Sequence, residues 1–130
     1  CVKSMTAAEA SAGDDGVIIL CAECLDGTGG DGFYHAMRDC ESARALFENI
    51  MTIPQNQTRP DQWEYQILAR ILSKHTVLYV TRPEMKDIVT EMKMTYAPDL
   101  DTAVKMAREI KGENANFTVI PNGIAVIVEQ

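Results

Sequence analysis

Apolar residues along the chain follow two different spacings, one typical of strands and one typical of helices. Two short apolar runs rich in β-branched residues, at 17–24 and 76–81, are typical of strands that are buried on both faces. Elsewhere the apolar residues recur every three or four positions, which predicts helices. The predicted helices cover residues 7–12, 33–40, 43–51, 62–75, 83–92 and 100–111.

The C-terminal part of the chain carries clear start and stop residues. Asp99 is suited to cap the last helix, and Gly112 is suited to end it. Two further apolar runs, 117–120 and 124–128, flank the dipeptide Asn122-Gly123, which is typical of hairpin turns. This pattern predicts an antiparallel strand pair at the end of the chain.

Strands that alternate with helices predict an α/β layered domain. We expect a mainly parallel sheet flanked by helices, with the antiparallel pair at its C-terminal end. Ligands of such sheets bind beyond the carboxyl ends of the strands. The loop after Cys24 and the segment after Thr81 are therefore expected at the functional edge.

The helix at 62–75 has the most distinct pattern. Asp61 and Glu64 have the spacing of an N-terminal cap and its partner, which predicts the helix start. Trp63, Ile67 and Ile71 lie on one helical stripe, which predicts that they face the core.

The glycine-rich loop 26–32 matches the GxGxxG pattern of dinucleotide-binding sites and stands between a strand and a helix. Asp26 and Asp31 bracket the glycines, however, and their charge would repel a pyrophosphate. The pattern also requires a second strand soon afterwards, whereas the next predicted strand begins near Thr76. We interpret the segment as a loop whose glycines adopt positive φ, unless another partner is identified.

Composition and charge narrow the class of partner. The chain has 130 residues, 19 acidic against 12 basic side chains and a net charge of −7, which disfavours binding to nucleic acid. It contains no apolar run of about 20 residues and no signal-like N-terminus, so no membrane association is expected.

Four cysteines stand at positions 1, 21, 24 and 40. Cys21 and Cys24 match CxxC, but the motif falls in a predicted strand, where residues three apart point to opposite faces. A redox CxxC belongs at a helix N-terminus. We therefore expect reduced, half-buried cysteines and a cytoplasmic protein.

The remaining side chains contain no complete catalytic set. His35 and His75 are far apart in sequence, and neither has a metal-ligand companion at helical spacing. No nucleophile–histidine–acid order, HExxH motif or P-loop is present. No catalytic or metal-binding residue is therefore expected within this chain.

Taken together, several stretches of the chain resemble the C-terminal domain of the nickel-dependent lactate racemase family. They are Lys3-Ser4-Met5-Thr6-Ala7-Ala8-Glu9-Ala10, Glu23-Cys24-Leu25-Asp26-Gly27-x-Gly29 with Gly32-Phe33-Tyr34, Asp61-Gln62-Trp63-Glu64-x-Gln66-x-Leu68-Ala69-Arg70 with Lys74-His75, and Val119-Ile120-Pro121-Asn122-Gly123. The resemblance extends over the whole chain in register. Family members often carry aspartate at the position of Asn122.

The resemblance implies that residues 1–130 form the single C-terminal, substrate-side domain of a longer two-domain isomerase. The start at Cys1, without Met, agrees with a piece of a longer polypeptide. The implied reaction racemises a 2-hydroxy acid such as lactate: the hydroxyl proton is removed, the α-hydride is transferred, and the planar keto acid is reduced on its other face. A nickel pincer nucleotide and the acid/base histidines are implied in the N-terminal domain, so this chain alone is expected to be inactive.

The resemblance also assigns substrate-binding positions. Lys3 matches the lysine of a Tyr-Gln-x-x-Lys segment that binds the substrate carboxylate, and Trp63 matches an aromatic residue beside the pocket. Without the resemblance, Lys3 would be interpreted as an exposed charge and Trp63 as a core residue. Asp26 and Asp61 are weaker candidates that line the cleft, and Asp61 is equally suited to be only a helix cap.

The residue patterns also allow two other interpretations. The domain could be a non-catalytic α/β module that binds small carboxylates or a protein partner. It could also be a nucleotide-binding module that uses the glycine-rich loop.

Overall fold

A computed structural model describes residues 1–129 and shows an α/β domain with a three-stranded parallel sheet. The strands are β1 (Val17–Cys21), β2 (Thr76–Val80) and β3 (Thr95–Ala97). The helices are α1 (Val2–Ser11), α2 (Asp31–Asp39), α3 (Ala43–Ile50), α4 (Gln62–Leu72), α5 (Lys86–Glu91) and α6 (Leu100–Lys111). Short 3₁₀ turns precede α4 and α5.

The sheet has the order β1-β2-β3, and both pairs are parallel. Val17 pairs with Thr76 at one end of the first ladder, and Leu78 pairs with Thr95 in the second. The central strand β2 is the most buried, since Val77, Leu78 and Tyr79 are all at most 3% exposed. The prediction of a mainly parallel sheet flanked by helices is confirmed.

Two apolar clusters cover the two faces of the sheet. The larger cluster joins one face to the five helices α1 to α5, and it includes Met5, Met37 and Leu68. The smaller cluster packs Ala103 and Ala107 of α6 against Leu78 and Ala97. Both faces of β1 are covered, but Val17 and Ile19 on the α6 side are only partly buried because β1 is an edge strand.

The predicted antiparallel pair at 117–120 and 124–128 is wrong: no strand is present in the described part of the chain after α6. A two-residue hairpin of type I′ requires positive φ at both central residues. Neither Asn122 nor Gly123 has positive φ, so the turn does not direct the flanking segments into a ladder. The Val119, Ile124 and Ile127 side chains are 71–92% exposed, so no buried face supports a pair either.

Helix boundaries agree with the sequence patterns to different degrees. The Asp99 carboxylate accepts a hydrogen bond from the Thr102 backbone N–H at 2.7 Å, and α6 ends before Gly112, as predicted. The first helix is longer than expected, because it begins at Val2. Strand β3 is not predicted by the sequence pattern, since three residues are too few to show a period.

Candidate substrate site at the carboxyl edge of the sheet

The starts of α1 and α4 lie at the same edge of the sheet. Each helix leads through a short turn into one of two parallel strands, so both helices run antiparallel to the strands. Arg70 of α4 binds Glu9 of α1 near the other ends of these helices. The first turns of both helices therefore lie at the carboxyl edge, beside the loop that follows β1.

Lys3 and Trp63 occupy corresponding heights on these two helices. Lys3 lies six residues before Glu9, and Trp63 lies seven residues before Arg70. At 1.5 Å per residue, the two positions are about 9 Å and about 10 Å from the Glu9–Arg70 pair along the helix axes. Lys3 is exposed in the first turn of α1, and Trp63 is exposed in the first turn of α4.

Trp63 is not a core residue. Its side chain is 47% exposed, whereas Gln62, Tyr65, Leu68 and Ile71 form the buried stripe of α4. The prediction that Trp63 faces the core is wrong, because the buried positions begin at Gln62 and Trp63 falls about 100° away from that residue. The same prediction is confirmed for Ile71, which is buried, and Ile67 is partly buried against the core. An exposed indole at a helix start is available to contact a ligand.

Asp61 does not cap α4 with its side chain. Its φ of 59° is left-handed, whereas a capping residue needs extended backbone to direct its side chain towards the helix N–H groups. A different side chain bonds at this helix start: the Gln62 side-chain oxygen accepts a hydrogen bond from the backbone N–H of Arg59, which precedes the helix, at 3.1 Å. The Asp61 carboxylate lies 3.8 Å from the position that a Cβ on Gly30 would take, which brings Asp61 to the glycine-rich loop.

Three of the four glycines in the glycine-rich loop have the positive φ that the sequence predicts, and the fourth, Gly32, lies in α2 without it. Gly27 and Gly29 have φ values of 65° and 79°, and Gly30 has a φ of 151°. Asp26 is exposed on this loop. The loop leads into α2, and the next strand begins only at Thr76, so the strand order of a dinucleotide site is absent from the described residues.

Arg82 fixes the first part of this loop, a role that sequence reasoning missed. Its guanidinium donates hydrogen bonds to the carbonyl oxygens of Glu23 and Cys24 at 3.0 and 3.2 Å. Cys24 has a left-handed φ of 57°, and its sulfur shares a hydrogen bond of 2.9 Å with the Tyr79 hydroxyl. The one available signal was the position of Arg82 directly after a predicted strand, at the carboxyl edge.

The cysteines are free thiols. Strand β1 ends at Cys21, so Cys24 lies in the loop and not in the predicted strand. Cys1 and Cys21 are exposed, while Cys24 and Cys40 are half-buried, so the expected half-burial holds for two of the four. Desolvation raises the pKa of the Cys21 thiol, which is opposite to the change that a redox CxxC requires.

The two histidines lie on different parts of the fold. His35 is exposed on α2, and it approaches Asp39 at 4.0 Å. His75 is buried in the turn before β2, where its Nδ1–H donates to the Gly16 carbonyl at 3.2 Å. Within residues 1–129, no three His, Cys, Asp or Glu side chains gather in a way that could bind a metal ion.

An open cavity of about 850 Å³ lies between α2, α3 and the start of α4. It is lined by Asp39, Glu41 and Asp61, together with Arg59, His35, Asn49 and mostly apolar side chains. Neither Lys3 nor Trp63 lines it. Three carboxylates would repel an anionic substrate, so this cavity is not a suitable carboxylate site.

No helix in the described part of the chain is long and apolar enough to cross a membrane.

These features define a parallel α/β domain that presents a lysine and a tryptophan from two adjacent helix starts. The chain matches the family model described as "Lactate racemase C-terminal domain" over residues 1–128, and it belongs to this family.

Curated relatives agree with this assignment. The chain is 45% identical over 129 residues to the lactate racemase of Thermoanaerobacterium thermosaccharolyticum, covering 99% of the chain and 30% of the relative. It is 43% identical over 128 residues to the lactate racemase of Lactiplantibacillus plantarum, covering 98% of the chain and 30% of the relative. The chain thus spans about 30% of the length of the curated relatives it matches.

A solved structure has the same fold. The lactate racemase apoprotein from T. thermosaccharolyticum superimposes with a TM-score of 0.96 at 45% identity, covering 99% of this chain and 31% of that one.

Proposed function

We propose that this chain is the substrate-side domain of an isomerase that racemises lactate or a related 2-hydroxy acid. Lys3 would bind the substrate carboxylate, and Trp63 would pack against the substrate from the adjacent helix start. The observation that carries this proposal is the exposure of both side chains at the same edge of the sheet, at matching heights on α1 and α4.

The chemical properties of Lys3 fit a carboxylate. Its ammonium group is a compact positive charge with three donors, and it stands on a four-carbon stem that can reach beyond the helix. The edge around it also carries Asp26, Asp31 and Asp61, so an anionic substrate is favoured near Lys3 and disfavoured elsewhere. This contrast would orient the carboxylate, while the α-carbon remains free to be presented on either face.

The rest of the reaction is assigned to the part of the protein outside this chain. The proposed cofactor is a nickel pincer nucleotide, which would be held by that other part of the protein and would supply the hydride-transfer chemistry. Residues 1–129 do not assemble a metal-ligand set, so we derive no step of the cofactor chemistry from them. This chain alone is expected to show no racemase activity.

The test is Lys3→Ala in the complete protein, assayed by racemisation of lactate. Loss of a charge-assisted hydrogen bond costs about 1.5–3 kcal/mol, so KM should rise roughly 10- to 150-fold. Because the carboxylate is bound in the ground state and in the transition state alike, kcat should change much less.

Lys74→Ala is the matched control. Lys74 is also exposed, but it lies in the turn between α4 and β2, at the opposite edge of the sheet. Its removal changes the net charge by the same amount and should leave KM unchanged. Equal KM values for the two variants would contradict the proposed role of Lys3.

A further inference from the structure

Gly123 lies in direct contact with the first turn of α1. A Cβ placed on Gly123 would be 2.9 Å from the Cβ of Ser4, 3.2 Å from its Cα and 3.4 Å from its carbonyl oxygen. These atoms belong to the helix backbone or are attached to it, so no rotamer change could relieve the collision. The segment 121–123 therefore rests on α1 through a glycine that has no room for any side chain.

The constraint on Gly123 is steric and not conformational. Its φ is not among the positive values found at Gly27, Gly29, Gly30 and Gly112. An alanine could adopt the same backbone angles, so only the added methyl group would disturb the contact.

The first turn of α1 is held from two sides. On the inner side, Val2 and Met5 are 8% and 1% exposed in the core. On the other side, Ser4 meets Gly123. The preceding residue, Cys1, accepts backbone hydrogen bonds from Ser4 and Met5 at 3.1 and 3.3 Å, but its side chain makes no capping bond.

We propose that Gly123 is a positioning residue for Lys3. The close approach of segment 121–123 fixes the first turn of α1, and Lys3 projects from that turn between Val2 and Ser4. This inference rests on the proposed function, since it assumes that Lys3 binds the substrate carboxylate. Gly123 itself contacts no substrate; it acts through the position of the helix start.

The test is Gly123→Ala in the complete protein, with KM and kcat for lactate measured separately. The added Cβ must push the helix start and segment 121–123 apart, which displaces the Lys3 ammonium from its position. We expect KM to rise roughly three- to ten-fold, with kcat within about two-fold of the wild-type value. A wild-type KM in folded Gly123→Ala would overturn the inference.

Gly13→Ala is the matched control, because a Cβ at Gly13 would meet no atom within 4 Å. It should leave both kinetic parameters unchanged. Lys3→Ala separates the two proposals: a raised KM in Lys3→Ala with a wild-type KM in Gly123→Ala rejects only the positioning role. A wild-type KM in Lys3→Ala rejects the proposed function itself.

If Gly123→Ala prevents folding, a second pair of variants tests the positioning role of Gly123. Ser4→Gly removes the Cβ, which is the nearest of the three Ser4 atoms on which segment 121–123 rests, whereas Ala8→Gly places the same flexible residue one turn further along α1. KM should rise in Ser4→Gly and not in Ala8→Gly. Equal KM values in these two variants would overturn the positioning role.

Discussion

The ion pair between Glu9 and Arg70 joins α1 to α4, and its removal should loosen the packing that aligns the two helix starts. Arg70 donates from Nη2 to Glu9 Oε2 at 2.7 Å and from Nε to Oε1 at 3.1 Å. The Glu9 side chain is 17% exposed and the Arg70 side chain is 38% exposed. A bidentate pair in this setting is stronger and better ordered than a typical surface pair.

The contribution of the Glu9–Arg70 ion pair to stability can be worked out from its distance and its burial. At 2.7 Å and an effective dielectric constant of about 20, the Coulomb attraction is about 6 kcal/mol. Desolvation of the two charges and the ordering of two long side chains oppose most of it. We expect a net coupling free energy of about 1–2 kcal/mol. Arg70→Met alone should cost about 2–3 kcal/mol of unfolding free energy, since it removes the bidentate partner of a mostly buried carboxylate.

The assay is urea unfolding of the wild type, Glu9→Gln, Arg70→Met and the double variant, combined as a double-mutant cycle. The Arg38–Asp39 pair is the control, with a similarly short Nε–Oδ1 distance of 2.6 Å but side chains that are 38% and 59% exposed. Its two members are adjacent in sequence, so it joins no separate elements. A coupling free energy for Glu9–Arg70 no larger than that of the control would refute the reasoning.

Two further predictions concern local structure. The hydrogen bond from the Thr102 backbone N–H lowers the pKa of Asp99, so the stabilisation from this cap is fully present above the ordinary aspartate value of about 3.9 and is lost as pH falls through the lower folded value. Below about pH 4, the thermal unfolding temperature of Asp99→Asn should therefore fall less steeply with decreasing pH than that of the wild type. An equally steep fall in both proteins would contradict this role of Asp99. Gly16→Ala should lower the unfolding temperature, because its Cβ would lie 2.9 Å from both the Ala12 Cβ and the Gly13 carbonyl oxygen. Gly13→Ala is the comparison variant, because a Cβ at Gly13 would meet no atom within 4 Å. The unfolding temperatures of both variants are measured by differential scanning calorimetry.

The regular elements that bury a periodic face were predictable from the sequence. Strand β2 and the capped helix α6 appear where their residue patterns place them. Strand β3 was missed because its identity comes from pairing with β2, which a three-residue segment does not reveal. The C-terminal pair was wrongly predicted because β-branched residues favour strands only where a partner and a buried face exist.

The candidate site was predictable in part. The resemblance selected Lys3 and Trp63, and residue patterns alone would have placed Trp63 in the core. Burial of a helix face depends on which stripe meets the neighbouring helices, and α4 contains apolar residues on more than one stripe. The one-residue difference between Gln62 and Trp63 was therefore settled by packing.

By itself, the sequence determined the class of the domain, the bounds of α6 and most of the positive-φ glycines of the loop after β1, because these depend on local periodicity, capping and backbone sterics. Only the tertiary structure decided which residues become neighbours across large sequence separations. It brings Arg82 to the carbonyls of Glu23 and Cys24, and Gly123 to Ser4. Such contacts arise from the packing of distant segments, and no local pattern in the chain specifies them.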